Sequence, residues 1–327
     1  MADGTETGPA SGITMTERAN DFWAITSYFN PLSYRNRQAN YRIFRERLGV
    51  PLVTVELAYG PRFELDESDA DILIQLRGGD VLWQKERLLN LALDALPAEC
   101  TKVAWIDCDV LFGDDDWPKR ARQVLDRVPI AQLYSEVHYL PAATKTEPPD
   151  RALAEVKRIS IASAVASGLD AEACLEQGNG PTVGSYSTGV AWAVRRELLQ
   201  AHHFYDAFIV GGGDRAMAVA LYGCFDNVVR RQRLNERQLA HFLAWAEPLR
   251  DAVGGAIGFV GGDVFHLWHG ALDDRRWYRR YGPMPAFRFD PFEDIALTGN
   301  GLWRWNSHKP DLHAYVQDHF ILRREDG

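Results

Sequence analysis

The segment Lys102-Val-Ala-Trp-Ile-Asp-Cys-Asp-Val-Leu-Phe112 decides the fold of this chain. Its apolar stretch is typical of a buried β-strand, and Asp107 and Asp109 follow at the carboxyl end of that strand. Two carboxylates there are costly unless a positive group compensates them, and a divalent cation carrying a diphosphate would do so. In open α/β sheets the ligand crevice lies beyond the carboxyl ends of the strands. The alternative is a strand end whose aspartates cap a turn.

Strands and helices alternate on both sides of this segment. Apolar and β-branched runs predict strands at residues 22–29, 51–57, 71–76, 102–107, 130–134 and 187–194. Apolar spacing and stop signals predict helices at residues 33–48, 84–96, 117–128, 196–201, 214–222 and 234–253, with Ser33 as the cap of the first. Because such alternation requires crossover connections, the sequence predicts an α/β fold with a largely parallel sheet.

The composition is that of a soluble globular protein. The chain has 327 residues, is 46% hydrophobic and 25% charged, and carries a formal net charge of −9, which argues against a protein that coats nucleic acid without sequence preference. The N-terminus is polar and no apolar run approaches the roughly 20 residues of a spanning helix, so we expect a cytoplasmic protein without a transmembrane segment. The cysteines are scattered singly, which predicts neither a disulfide framework nor a thiolate zinc site: Cys100, Cys108, Cys174 and Cys224.

Two later segments carry further polar residues. Three glycines at positions 211–213 lead to Asp214 at the start of a predicted helix, where an exposed carboxylate can accept a proton from a hydroxyl group or simply cap the helix. His266 and His269 follow a short apolar run in Asp263-Val-Phe-His-Leu-Trp-His-Gly270. Imidazole is a normal ligand of Mn²⁺ and less natural for Mg²⁺, although both histidines can also be satisfied core residues.

The order of these elements resembles the GT-A glycosyltransferases. The DxD at residues 107–109 is family-2-like, and the GGGD and HxxHG elements at residues 211–214 and 266–270 are similar to those of galactosyltransferases. The resemblance covers roughly residues 21–285. It implies a nucleotide-diphospho-sugar transferase fold, with a mostly parallel central sheet flanked by helices, an acceptor-side subdomain and a C-terminal segment that wraps over the body.

The resemblance also implies roles for individual residues. A Mn²⁺ or Mg²⁺ ion would be held by Asp107, Asp109 and a histidine, with His266 favoured over His269. Asp214 would be the general base of an inverting reaction. The remaining residues would contact the nucleotide or its diphosphate: Thr26, Tyr28, Asn30, Gln75, Arg77, Lys85, Asp107 and Arg275. Lys85 can equally be a surface lysine, and Arg275 part of a solvated helical face.

The predicted function is therefore metal-dependent, hexosyltransferase-like transfer of a sugar from a nucleotide-diphosphate sugar, a UDP-sugar, to an acceptor hydroxyl. A saccharide, a lipid-linked glycan or a small molecule is the expected acceptor. A modified DNA base is a minority hypothesis, because basic clusters occur at residues 230–233 and 275–280. Three alternatives stay open: a nucleotidyltransferase, a metallohydrolase, and a non-catalytic module that binds a glycan or nucleotide.

The expected domain organisation follows the same resemblance. Residues 1–20 are expected to be a disordered leader and residues 21–140 the half that binds the nucleotide sugar. Residues 141–285 would form the acceptor-side, catalytic half, after a boundary marked by prolines. Residues 286–327, rich in aromatic residues, proline and glycine, would form an extension packed on the body.

Overall fold

The computed structural model describes residues 21–142, 144, 150–177, 186–276 and 279–327, so the leader predicted for residues 1–20 lies outside the described residues. The described strands, in chain order, are β1 (Phe22–Phe29), β2 (Leu52–Leu57), β3 (Ile72–Leu76), β4 (Lys102–Ile106), β5 (Val110–Phe112), β6 (Ile130–Gln132), β7 (Glu136–Tyr139), β8 (Val156–Ser160), β9 (Tyr186–Ser187), β10 (Ala191–Arg195), β11 (Ile257–Phe259), β12 (Asp263–His266), β13 (Ile295–Leu297) and β14 (Trp303–Trp305).

The described helices, again in chain order, are α1 (Arg35–Arg47), α2 (Lys85–Asp94), α3 (Trp117–Leu125), α4 (Ile161–Ala166), α5 (Ala171–Gln177), α6 (Arg196–His202), α7 (Gly213–Tyr222), α8 (Phe225–Gln232), α9 (Glu236–Val253), α10 (Met284–Phe287) and α11 (Pro310–Ile321). No helix in the described residues combines the length and the apolar character needed to cross a bilayer.

The main sheet has the strand order β11-β6-β10-β4-β1-β2-β3. Strand β10 runs antiparallel to both of its neighbours, and all other neighbouring pairs are parallel. The predicted α/β class, with a mostly parallel central sheet flanked by helices, is confirmed. Because the sheet joins strands from both sides of residue 140, it includes elements of both predicted halves, and the division at that residue stays a prediction.

Helices cover both faces of this sheet, which explains why β1 is apolar along nearly its whole length. Successive residues alternate between two cores: Ile25 packs into the core that contains α2, whereas Ala24 packs into the core that contains α1 and α3. The carboxyl ends of β1 and β4 therefore open at one edge, between the two helical layers.

A second sheet, in the order β5-β12-β7-β8-β9, adjoins the carboxyl end of β4. The chain passes from one sheet to the other through Asp107–Asp109. The N–H of Asp107 donates to the carbonyl of Val190 at 2.9 Å, and the carbonyl of Asp109 accepts from the N–H of Leu267 at 2.8 Å. The two aspartates are thus fixed by backbone contacts at the junction of the sheets.

The single strand predicted at residues 187–194 is wrong. The chain forms β9 in the second sheet and β10 in the main sheet, with a break between them at which Val190 adopts a positive φ of 79°. The physical reason is a close approach at Gly189, where a Cβ atom would lie 2.5 Å from Cγ of Asp214. The break gives the start of α7 the space that a continuous strand would occupy.

The capping role predicted for Ser33 is also wrong. Ser33 has a φ of 55°, and the residue that precedes α1 is Tyr34, whose side chain makes no capping hydrogen bond. The first backbone N–H groups of the helix, those of Arg35 and Asn36, instead donate to the carboxylate of Asp326 at 3.0 and 2.9 Å. A carboxylate satisfies the unpaired N–H groups of a helix start and interacts favourably with the helix dipole. Asp326 therefore caps α1.

Candidate active site

Asp109, His266 and His269 form a compact cluster at the sheet junction, with one potential ligand atom of each within 4.8 Å of the others. Nε2 of His269 lies 3.0 Å from Oδ2 of Asp109, and Nε2 of His266 lies 3.6 Å from Oδ1. Nδ1 of His266 lies 2.9 Å from the carbonyl oxygen of Leu267 and donates to it. Nε2 of this imidazole therefore carries the lone pair, which accepts a hydrogen bond from Nη1 of Arg275 at 3.4 Å beside the carboxylate of Asp109.

The cluster fits a divalent cation. Oδ1 of Asp109 is buried and accepts no hydrogen bond from the described residues, an arrangement that is costly without a compensating positive charge. Burial lowers the pKa of His266 to about 3; Asp109 opposes this effect and Arg275 adds to it. The imidazole is therefore neutral and able to bind a metal ion. Burial opposes ionisation of Asp109, but the facing imidazoles and Arg275 hold the pKa of Asp109 below its ordinary value. One carboxylate and two imidazoles suit Mn²⁺ better than Mg²⁺.

Lys85 joins two carboxylates on the other side of the same space. It is the first residue of α2, its side chain is 12% exposed, and its Nζ lies 2.5 Å from Oδ1 of Asp107 and 2.9 Å from Oδ1 of Asp214. Burial alone would lower the pKa of Lys85, but the two carboxylates hold it well above its ordinary value. Burial raises the pKa of Asp107 to about 6, with repulsion from Asp214 and Asp109 adding to burial and Lys85 opposing it.

This arrangement differs from the predicted one in two respects. Asp107 is engaged by Lys85 and lies outside the cluster of three ligand atoms, although the sequence grouped it with Asp109 as a metal ligand. Asp214 is ion-paired with the same ammonium group, and Lys85 is a buried bridge rather than a surface lysine. The physical reason is that the start of α2 lies between the strand that precedes Asp107 and the start of α7.

Glu86 is buried beside this bridge. Burial raises the pKa of Glu86 to about 8. Repulsion from Asp214 and Asp107 acts in the same direction, and attraction to Lys85 opposes the rise. Its carboxyl group fills the space beside Gly213, where a Cβ atom would overlap it. A side chain at position 213 would therefore displace Glu86 from its place beside the bridge.

One cavity of about 160 Å³ connects the cluster and the bridge. Eight of the residues predicted for the site line it, in chain order Thr26, Lys85, Asp107, Asp109, Asp214, His266, His269 and Arg275. Further cations in its wall are Arg37, Arg215, Arg280 and Arg323. Pockets that bury most of a drug-sized ligand span roughly 300–1,000 Å³, so a nucleotide sugar would need the rim of this cavity to open.

Four predicted nucleotide contacts lie away from the cavity wall. Tyr28 donates to the carboxylate of Glu64, to which the side-chain amide of Asn30 also donates, at 2.9 Å. Gln75 donates to Glu56 at 2.8 Å, and Arg77 to the carbonyl oxygen of residue 61 at 3.0 Å. Their polar groups are taken up by Glu56 of β2 and by the segment at residues 61–65. Nucleotide contacts by these four residues stay a prediction.

Glu325 is a part of the site that the sequence did not reveal. Its carboxylate is buried and lies 3.7 Å from Nδ1 of His269, and it accepts hydrogen bonds from Arg37 at 2.8 Å and Arg323 at 2.6 Å. Burial opposes its ionisation, yet the two guanidinium groups hold the pKa of Glu325 well below its ordinary value. At 3.7 Å this carboxylate is too far from Nδ1 of His269 for a hydrogen bond, so Glu325 places a negative charge beside the outer nitrogen of the imidazole.

The close packing of the chain terminus depends on Gly270. This residue has a φ of 92°, and a Cβ atom there would lie 2.7 Å from the backbone oxygen of Arg323. Only glycine adopts this conformation and leaves that space without strain. Gly270 directly follows His269, so the segment that carries the histidine and the chain terminus pack against each other.

Comparisons with known proteins give matches among solved structures only. No protein-family model matches the chain, and no curated protein sequence matches it. Glucosyl-3-phosphoglycerate synthase of Mycobacterium tuberculosis, solved with Mn²⁺, UDP and glucosyl-3-phosphoglycerate, is 14% identical over 89% of this chain and 90% of that chain, with a TM-score of 0.42. S. aureus TarS 1-349, solved with UDP-GlcNAc, is 13% identical over 61% of this chain, with a TM-score of 0.33.

A third match is 4-diphosphocytidyl-2C-methyl-D-erythritol synthase of Anaerococcus prevotii, 10% identical over 76% of this chain and 90% of that chain, with a TM-score of 0.32. The match to TarS covers only 52% of the TarS fragment, about half of its length. Because these similarities are low, they assign no activity to this chain.

Proposed function

We propose that this protein is a metal-dependent glycosyltransferase that moves a sugar from a nucleoside-diphosphate sugar, a UDP-sugar, to an acceptor hydroxyl with inversion at the anomeric carbon. One observation carries the proposal. A single cavity is lined on one side by Asp109, His266 and His269, and on the other by Asp214 paired with Lys85. The first group suits a cation and its diphosphate, and the second suits proton removal beside it.

Asp109, His266 and His269 would hold the cation. A divalent ion bound there supplies positive charge that stabilises the departing diphosphate. Glu325 places a negative charge beside the outer nitrogen of His269, and His266 is held by its hydrogen bond to the backbone at residue 267. Both imidazoles are buried, so their orientation costs little further entropy when a ligand arrives.

Lys85 and Arg275 would bind the diphosphate. Guanidinium and ammonium groups form short, charge-assisted hydrogen bonds with phosphate oxygens. Nη1 of Arg275 lies 3.4 Å from Nε2 of His266, which places this guanidinium beside the cation cluster. A phosphate that competes for Lys85 would weaken the contacts of this lysine with Asp107 and Asp214, which are carboxylates of the same cavity.

Asp214 would then accept the proton of the acceptor hydroxyl. The hydroxyl oxygen forms a bond to the anomeric carbon while the bond from that carbon to the diphosphate oxygen breaks, and the electron pair leaves with the nucleoside diphosphate. Gly189 keeps the approach to this carboxylate free of a side chain. Release of Asp214 from Lys85 when the donor binds would confine proton removal to the loaded enzyme.

Thermal stability in the presence of candidate donors tests this proposal. Purified protein is heated with UDP, GDP and their sugars, with Mn²⁺ present and then chelated. A ligand that binds only the folded state raises Tm by mass action. We expect one nucleotide sugar to raise Tm in a metal-dependent way, Asp109→Ala to abolish the shift, and the control Asp114→Ala, at an exposed aspartate outside the cavity, to retain it. Absence of a shift with every nucleotide, in protein shown to be folded, would refute the proposal.

A further inference from the structure

A second group of polar side chains lies on the other face of the strand that carries His266. Strands β7 and β12 are parallel neighbours in which Glu136 is paired with Asp263 and His138 with Phe265. Because side chains alternate along a strand, Glu136, His138 and Asp263 share one sheet face, and His266, three residues after Asp263, points to the opposite face. We call these three residues the sheet-face cluster. It contains none of the residues that line the proposed active-site cavity.

The distances within the sheet-face cluster are longer than those of hydrogen bonds, and the shorter one equals the separation of two ligands on a zinc ion. Nε2 of His138 lies 3.4 Å from Oδ1 of Asp263 and 3.8 Å from Oε2 of Glu136, and the three ligand atoms lie within 4.8 Å of one another. Hydrogen bonds between nitrogen and oxygen span about 2.7–3.2 Å. Ligands at about 2.0–2.2 Å from a tetrahedral zinc ion are separated by about 3.3–3.6 Å.

The imidazole of His138 supplies an independent observation. Its side chain is only 4% exposed, yet Nε2 makes no hydrogen bond with any described residue and is directed toward the two carboxylates. The ring is held in place by stacking on Phe265, with ring centroids 5.3 Å apart. A buried ring nitrogen without a hydrogen bond is costly, whereas a metal ion would use its lone pair.

We propose that Glu136, His138 and Asp263 form a second metal site, for a first-row ion such as Zn²⁺, on the sheet face opposite the proposed active site. One imidazole and two carboxylates form a ligand set that Zn²⁺ accepts, with a further position left for water. The site goes beyond the proposed function and does not depend on it.

Two cations regulate access to these ligands. Arg151 contacts Oδ2 of Asp263, which leaves Oδ1 facing His138, and Lys157 lies 3.1 Å from Oε2 of Glu136. Both cationic side chains are mostly exposed, at 70% and 60%, so they can swing into water when a metal ion binds. Arg151 and a metal ion therefore compete for the charge of the same carboxylate.

Zinc titration of the full chain tests the second site, with Asp109→Ala as the background that disables the first cluster. Metal-free protein is titrated with Zn²⁺ by calorimetry, and folding of each variant is checked by circular dichroism. We expect Asp109→Ala to bind one ion per chain at the sheet-face cluster. The wild type should bind a second ion where the cluster of Asp109, His266 and His269 also takes zinc. Adding His138→Asn to that background removes a direct ligand. Zinc affinity at the sheet-face cluster should therefore fall by more than the roughly 10–100-fold that follows loss of a residue hydrogen-bonded to a ligand.

Two further variants keep the test sharp. Arg151→Ala in the Asp109→Ala background should tighten zinc binding by about two- to five-fold, the equivalent of an exposed ion pair, because the competing cation is gone. His203→Asn is the matched control, since His203 faces a single carboxylate, that of Asp94 at 3.6 Å, and should leave zinc binding unchanged.

Other results overturn the proposal. If His138 is instead a protonated imidazole paired with two carboxylates, Asp109→Ala binds no stoichiometric zinc. Zinc binding that survives His138→Asn would also overturn it. Failure of the nucleotide sugars to stabilise the protein would leave the zinc result unaffected, so the two proposals fail separately.

Discussion

Replacement of Lys85 by methionine tests the carboxylate bridge at the centre of the site. The change keeps most of the side-chain volume and removes the ammonium group that holds Asp107 and Asp214 together. Loss of one partner of a buried ion pair costs about 3–5 kcal/mol, because the other charge is left uncompensated. The side chain of Asp214 is 37% exposed and that of Asp107 is 25% exposed, so water screens part of the cost. We expect a loss of about 2–3 kcal/mol at pH 8, or a fall in Tm of about 3–4 °C for a chain of 327 residues.

The loss of stability in Lys85→Met should depend on pH, because it depends on whether Asp107 is ionised. Burial raises the pKa of Asp107 to about 6 even with Lys85 present, and removal of Lys85 raises it further. An acid whose pKa is raised by folding destabilises the folded state above that pKa, and the penalty disappears as the pH falls through it. The Tm difference between wild type and Lys85→Met should therefore be large at pH 8 and small near pH 5.5.

A matched control separates this effect from simple loss of a positive charge. Arg230 also bridges two carboxylates, those of Glu172 at 2.6 Å and Glu176 at 2.5 Å, but its side chain is 53% exposed. Arg230→Met should change Tm little at any pH, because exposed ion pairs contribute little to stability. Differential scanning calorimetry from pH 5.5 to pH 8 makes the comparison. A loss in Lys85→Met no greater than in Arg230→Met, or one that is independent of pH, would refute the reasoning.

Three further predictions concern neighbouring parts of the site. Glu325→Gln should weaken Mn²⁺ binding, measured by calorimetry, by roughly 10-fold, the lower end of the effect of an outer-sphere partner, because it removes the negative charge beside a ligand imidazole. The exposed control Glu293→Gln should not weaken binding, and equal affinities of the two variants would exclude this role of Glu325. Gly189→Ala places a Cβ atom 2.5 Å from the proposed base, so the rate of sugar transfer should fall at least about 100-fold while UDP binding is retained. The control Gly60→Ala, at a position surrounded by open space, should be active, and an active Gly189→Ala would contradict the close approach. Glu86→Gln removes an acid whose pKa burial raises to about 8. In thermal denaturation the variant should therefore gain up to about 5 kcal/mol of stability relative to wild type as the pH rises from 5 to 9, and a constant difference would contradict the raised pKa.

The regular elements were predictable because local patterns encode them. The apolar run before Asp107 specified β4, and the apolar spacing over residues 84–96 and 234–253 specified α2 and α9. Asp109, His266 and His269 were recognisable as candidate ligands because polar residues that follow short apolar runs gather at the carboxyl ends of strands. The structure brings their side chains to one cluster, and metal binding by that cluster stays a prediction.

Contacts between distant parts of the chain escaped sequence reasoning. Glu325 and Asp326 lie in a polar segment without periodicity, and their partners Arg37 and Arg35 are 288 and 291 residues away. The same limitation applies to Lys85, whose two carboxylate partners lie on different elements. A local pattern contains no information about which distant charge will neutralise a buried one, so these pairings emerge only from the packed structure.

The anomeric proton signal of a UDP-sugar, followed by nuclear magnetic resonance in the presence of Mn²⁺, tests the central claim most directly. The assay follows slow transfer of the sugar to water, which takes the place of the acceptor hydroxyl, so the acceptor need not be identified beforehand. We predict that wild type and Asp114→Ala consume one UDP-sugar only while Mn²⁺ is present, and that Asp109→Ala leaves it intact. Equal consumption by Asp109→Ala, or consumption that is unaffected by a chelator, would contradict the assignment of the cation cluster.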